Sequence, residues 1–186
     1  MISRLIAATL LVLIAVASGA EQHHRDPLNA REVDQLRDAA QDPETRLKLY
    51  VEFARARLAK LEQVRADQKL ADRTEQTRAA LQDFVDVYDE LSVNVDTYAD
   101  RGADLRKALR PVIEGDTEFG AKLRVFKASL ASSREEVESY DFLVASALEA
   151  VDEGAKEHRD LLAEQQEAFK HKKTKDRRED SSSRGE

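Results

Sequence analysis

The chain has no cysteine and no tryptophan, and it contains few glycines, prolines and aromatic residues. The missing cysteines exclude disulfide bonds, c-type haem attachment, thiolate metal sites, lipid attachment at a cysteine and a cysteine nucleophile. With 5% aromatic against 36% charged residues, the chain can build only a thin core of small side chains. Long helices packed side by side suit such a core, and this composition is typical of them.

The N-terminal segment has the organisation of a secretory signal peptide. Arg4 supplies a positive charge, residues 5–17 are uncharged and mainly apolar, and Ser18 and Ala20 place small residues before Glu21. A membrane anchor is the alternative, but the apolar stretch is shorter than the roughly 20 residues of a spanning helix. We therefore predict a signal peptide over residues 1–20, no stable membrane insertion after its cleavage, and a periplasmic or secreted location.

Charge is unevenly distributed along the rest of the chain. Residues 170–186 contain seven basic and four acidic residues, and Arg4 is the sole charge before residue 21. Because the whole chain carries −7, residues 21–169 carry −11. An acidic body of this kind argues against nucleic-acid binding, which needs a basic face for phosphates.

We expect residues 21–28 to form a flexible N-terminal arm. Beyond this arm, start signals divide the chain into separate helices. Asn29 with Glu32 predicts a capping box, Asp42 before Pro43 predicts a second start, and Ser133 with Glu136 predicts a capping box for the last helix. We expect a helical domain over residues 29–169 and a disordered charged tail over residues 170–186.

Apolar residues recur at steps of three and four along each predicted helix, which is the signature of one buried face. The clearest run has strict heptad spacing, as in coiled coils: Leu81, Phe84, Tyr88, Leu91, Val95 and Tyr98. Its phase continues past Gly102, so either the chain turns there or one long helix passes through, with Pro111 kinking it or starting a new one. We favour the turn. The predicted fold is all-α, an up-down bundle of about four long helices with coiled-coil-like seams. The alternative is an extended antiparallel rod with one long central helix.

A row of acids on the second long helix is the most prominent polar pattern: Asp83, Asp86, Asp89, Glu90, Asp96, Asp100 and Asp104. Oxygen ligands suit Ca²⁺ or Mg²⁺, and Asp96, Asp100 and Asp104 are the candidate metal ligands. A solvated face is the competing interpretation and the one we favour, because these positions point outward from the heptad. His158, on the apolar stripe of the last helix, is interpreted as a packed residue.

Two aromatic residues, Phe53 and Phe142, fall off the main seams of their helices. They either widen the core stripe or are exposed contacts for another chain. The basic tail is interpreted as solubilising, or alternatively as a contact with an anionic membrane or polymer surface.

Residues 49–58 (LYVEFARARL) and 98–101 (YADR) resemble segments of uncharacterised exported all-helical bacterial proteins. That resemblance implies export and a helical fold, and it transfers no functional residue. No nucleophile motif or phosphate-binding glycine loop is present. We therefore expect a non-enzymatic protein without a cofactor, acting on a protein partner or as a homo-oligomer. The alternatives are a periplasmic chaperone-like protein and a divalent-cation-binding bundle.

Overall fold

The computed structural model describes residues 26–131 and 133–183, with side chains as far as residue 174. This part of the chain is helical and has no strand, and it forms a bundle as the sequence predicts. The helices are α1 (Ala30–Asp38), α2 (Pro43–Ala66), α3 (Arg73–Asp100), α4 (Leu109–Leu130) and α5 (Arg134–Ser183). The predicted signal peptide and most of the N-terminal arm lie outside the described residues.

The predicted helix starts are formed by the expected side chains. Asn29 and Glu32 make a reciprocal capping box at α1, and Asp42 accepts hydrogen bonds from the backbone N–H groups of Glu44 and Thr45 at the start of α2. Ser133 accepts from the N–H of Glu136 at 3.4 Å. The second half of that predicted box is wrong, because the Glu136 carboxylate instead binds the Arg65 guanidinium through two hydrogen bonds.

The four long helices run alternately up and down, and each contacts two others. Seams join α2 to α3, α3 to α5, α5 to α4, and α4 back to α2. Consecutive helices α3 and α4 therefore face each other across the diagonal, where they meet through side chains such as the Phe84 and Phe119 rings, 5.5 Å apart. The apolar stripes predicted from the sequence supply this core, and Leu47, Leu81 and Leu123 are fully buried.

The chain turns at Gly102, which excludes one continuous helix through this point. Gly102 has a φ of 70°, a conformation that glycine adopts at little cost and that commonly ends a helix. The loop that follows crosses the end of the bundle, and its backbone is held by Gln165 of α5. The Gln165 side chain accepts from the N–H of Leu105 at 2.8 Å and donates to the carbonyl of Ala103 at 3.0 Å. Pro111 lies in the first turn of α4, where its missing N–H is tolerated.

The described residues of the predicted N-terminal arm contact the bundle, and those of the predicted C-terminal tail are helical. The end of the N-terminal arm is held, because Arg57 donates to the carbonyl of Pro27 at 2.6 Å and Leu28 packs against the core. Arg57 also pairs with Glu32 at 2.6 Å. Burial raises the pKa of Glu32, but the hydrogen bonds from Arg57 and the Asn29 N–H outweigh it and lower that pKa.

At the other end, α5 continues to Ser183 in place of the disordered tail expected from Lys170. The physical reason is that residues 170–183 contain neither glycine nor proline, and Lys and Arg are good helix formers. At 1.5 Å per residue, the 50 residues of α5 span roughly 75 Å. The helix therefore extends past the end of the bundle that the loop at Gly102 closes.

Candidate functional site

Three charged or polar side chains meet inside the core, and we refer to Tyr88, Asp116 and His158 as the core polar cluster. The Tyr88 hydroxyl donates to one carboxylate oxygen of Asp116 at 2.8 Å, and Nδ1 of His158 lies 2.9 Å from the other oxygen. The cluster joins α3, α4 and α5. Asp116 and His158 are each only 2% exposed.

The hydrogen bonds of the cluster converge on Asp116, whose carboxyl group binds Tyr88 through one oxygen and His158 through the other. Burial, then the charge of Asp116 and the hydrogen bond to it, raise the pKa of Tyr88 far above its ordinary value. The tyrosine is therefore neutral at neutral pH, and its hydroxyl donates to Asp116.

Each member of the core polar cluster occupies a seam position of its helix. Asp116 follows Val112 by four residues and precedes Phe119 by three, so it fills an apolar position of α4. Gly154 of α5 provides the space, because a methyl group there would overlap the Tyr88 hydroxyl. The sequence interpretation of His158 as a packed residue is confirmed, but its partner Asp116 was missed. A single acid within the apolar repeat of α4 is the signal that could have revealed it.

The core polar cluster resembles a base with its orienting acid, but the geometry favours a structural role. Its side chains are enclosed by the bundle, and a solvent-borne substrate would have to open the core to reach them. Buried polar groups at seam positions are known to fix the register and pairing of helices. We therefore assign the cluster to fold specification.

An open apolar groove lies between α2 and α4, and we call it the α2/α4 groove. It has a volume of about 390 Å³ and is lined by Leu58, Leu61, Glu62, Arg65, Ala121, Lys122, Val125, Phe126 and Ser129. Leu58, Leu61 and Phe126 form its buried part, while Val125 is 72% exposed. Val125 is therefore an exposed apolar side chain at the edge of an apolar recess.

Charged residues frame the α2/α4 groove without filling it. Lys122 of α4 pairs with Glu62 of α2 at 2.7 Å. Arg65 pairs with Glu136 at 2.5 Å and lies over the Phe126 ring, 5.5 Å from its centre. The hydrogen bond from Arg65 lowers the pKa of Glu136, so this rim stays charged at neutral pH. An apolar floor with a polar rim is the usual anatomy of a protein-binding surface.

The candidate metal ligands do not come together. Asp96 and Asp100 lie on α3, whereas Asp104 lies in the crossing loop and is bound by Arg106 at 2.6 Å. The hydrogen bond from Arg106 lowers the pKa of Asp104 to about 2. Within the described residues, no three His, Asp or Glu side chains are grouped so that they could hold a metal ion. Asp96, Asp100 and Asp104 are each exposed to solvent.

The two aromatic residues singled out as contacts have different positions. Phe53 is 7% exposed and packs edge-on against the Tyr50 ring, so it widens the core and is not an exposed contact. Phe142 is 85% exposed, as the alternative interpretation requires, but it does not line the α2/α4 groove. Phe169, placed on the apolar stripe by its spacing, is 48% exposed and stacks on the Arg106 guanidinium at 3.6 Å.

At the end of the bundle opposite the α2/α4 groove, a second cavity of about 460 Å³ lies between the crossing loop and α5. We call this surface the basic end, and it is lined by Asp104, Arg106, Lys107, Arg110, Gln166, Phe169 and Lys170. Four cations and one acid give it a positive charge on an otherwise acidic protein.

None of the helices in the described part of the chain combines the length and hydropathy needed to cross a membrane. Comparison with protein-family models, with curated proteins and with solved structures found no match. The functional assignment therefore rests on the surfaces and contacts described above.

Proposed function

We propose that the chain is an exported, non-enzymatic helical protein that binds a partner protein through the α2/α4 groove. The observation that carries this proposal is the exposed Val125 beside the apolar floor formed by Leu58, Leu61 and Phe126. Covering this surface would remove apolar area from water, which is the main source of affinity in protein association.

The partner's chemistry follows from the shape and charge of the groove. Two parallel helices form its walls, so an amphipathic helix of the partner fits between them with its apolar residues inserted. The paired charges of Glu62 with Lys122 and of Arg65 with Glu136 offer both signs at the rim. They would orient a partner more than they would attract one from a distance.

Quantitative affinity capture from the exported fraction tests the proposal with two matched variants. Val125→Glu places a charge in the groove, and Val93→Glu places the same charge at a 59% exposed valine on α3. Because each valine is already exposed, both variants should fold. We expect a specific partner to be recovered at least ~10-fold less with Val125→Glu, corresponding to ~1.4 kcal/mol or more of binding energy, and unchanged with Val93→Glu.

The identity of the captured proteins separates the proposal from its alternatives. One partner, or a second copy of this chain, lost specifically with Val125→Glu supports an interaction module. Many unrelated proteins lost with the same variant would instead support the chaperone-like alternative. Equal recovery with both variants would show that the α2/α4 groove is not the binding surface.

A further inference from the structure

The basic end contains two cations that have no ion-pair partner among the described residues. Arg106 is paired with Asp104, and Lys170 is paired with Glu167 at 2.6 Å. Lys107 and Arg110 are exposed and form no ion pair with any described residue. Their charge is therefore available to an external anion.

An aromatic ring is fixed in the middle of these cations. The Phe169 ring is held by the Arg106 guanidinium, which is itself pinned by two hydrogen bonds to Asp104 of 2.8 and 2.6 Å. Nearly half of the Phe169 side chain remains exposed. An exposed ring surrounded by Lys and Arg is the arrangement that proteins place at the interface between water and lipid headgroups.

The part of α5 from Lys170 onward, which we call the α5 extension, leads away from the bundle. Lys172 and Lys173 are exposed on it, and Lys172 lines a cavity together with Phe169. The body of the protein, residues 21–169, carries −11 against +3 for residues 170–186. With this distribution of charge, an anionic surface repels the body of the protein and attracts one end of it. The protein can therefore approach such a surface in one orientation.

We propose that the basic end binds the phosphate headgroups of an anionic lipid surface, with the acidic body and the α2/α4 groove directed away from it. Lys107, Arg110, Lys172 and Lys173 contact the headgroups, and Phe169 inserts at their level. The binding is peripheral. It is independent of the partner proposed above, because the groove is at the other end of the bundle.

Vesicle co-sedimentation of the full chain tests this proposal. The vesicles are either wholly phosphatidylcholine or contain 30% phosphatidylglycerol, at an ionic strength of ~0.1 M where surface charges remain partly unscreened. We expect binding to the anionic vesicles only, and weaker binding as salt rises. The double variant Lys107→Gln/Arg110→Gln should reduce the partition coefficient ~25-fold, from about fivefold for each lost cation near the surface.

The control removes the same charge from the opposite end of the bundle. Lys127 and Arg134 are exposed there, and Lys127→Gln/Arg134→Gln should bind nearly as wild type. Phe169→Ala should weaken binding in a way that salt does not alter. Equal binding to both vesicle types, or an equal loss in the control, would overturn the proposal. Competition by inorganic phosphate at matched ionic strength would also overturn it, because it would indicate a free-anion site.

Discussion

Replacement of Asp116 by alanine is expected to destabilise the folded protein by about 2–5 kcal/mol, because two buried polar groups would each lose a partner at a cost of about 1–3 kcal/mol. The Tyr88 hydroxyl and the His158 imidazole would lose their common acceptor. Both would then remain in a core that water does not reach. For a chain of this size, the melting temperature should fall on the order of 10 °C. Chemical denaturation followed by circular dichroism measures the free energy of unfolding.

The matched control is Asp116→Asn, which keeps the size of the side chain. Its carbonyl can accept from Tyr88, and its NH₂ group can donate to Nδ1 of a neutral His158, so the loss should be no more than about 1.5 kcal/mol. If Asp116→Ala costs less than about 1 kcal/mol, or if asparagine is as harmful as alanine, the core polar cluster does not have the hydrogen bonding described here.

Gly154→Ala should destabilise the protein by about 2–4 kcal/mol, although alanine is the better helix former. The added methyl group would overlap the Tyr88 hydroxyl, and moving the ring would strain the core and break its bond to Asp116. Those costs exceed the roughly 1 kcal/mol that alanine gains over glycine in a helix. Thermal and denaturant unfolding of the purified variant measure the difference.

Gly120→Ala is the internal control, because it makes the same substitution in another helix of the same bundle. There the methyl group would meet the end of the Arg124 side chain at 2.7 Å, which is exposed and can move aside. We expect a change within about 1 kcal/mol of wild type. In a Tyr88→Phe background, Gly154→Ala should cost less than it does alone. Equal effects of Gly154→Ala and Gly120→Ala would contradict the close approach of α3 and α5.

Much of the fold could be predicted from local chemistry. Asn29 and Asp42 predict helix starts because a capping side chain binds backbone N–H groups only two or three residues further along the chain. The apolar spacing predicts which face of each helix is buried. Neither signal says which helix covers that face, so the diagonal placement of α3 and α4 and the bonds from Gln165 that hold the crossing loop were not predictable. Those features depend on residues that are 28 to 62 positions apart.

The functional surfaces were harder to predict, for a related reason. The α2/α4 groove exists because two helices that are separated in the sequence pack incompletely, and no single helix pattern contains that information. The position of Phe53 off the main seam left open whether it widens the core or is exposed, and the structure buries it. Asp116 was not predicted because it is a single acid inside an apolar repeat and belongs to no row of charged residues.

The predicted export and the two proposed binding surfaces are compatible with one another. A bundle fixed in register by the core polar cluster presents an apolar groove at one end and a cationic surface at the other. Under the proposals above, the protein would bind a partner at a lipid surface with the groove directed outward. Each surface can be altered without touching the other, because they share no residue.

Site-specific photo-crosslinking at Val125 is the most direct test of the proposed partner binding, because it reports contact at a single known position of the α2/α4 groove. The chain has no cysteine, so Val125→Cys and the control Val93→Cys each accept a single benzophenone-maleimide label. Irradiation in the exported fraction is predicted to give a discrete adduct from position 125, with the crosslink in an amphipathic helix of the partner, and none from position 93. No adduct from position 125, or the same adducts from both positions, would contradict the proposal that the α2/α4 groove binds a partner.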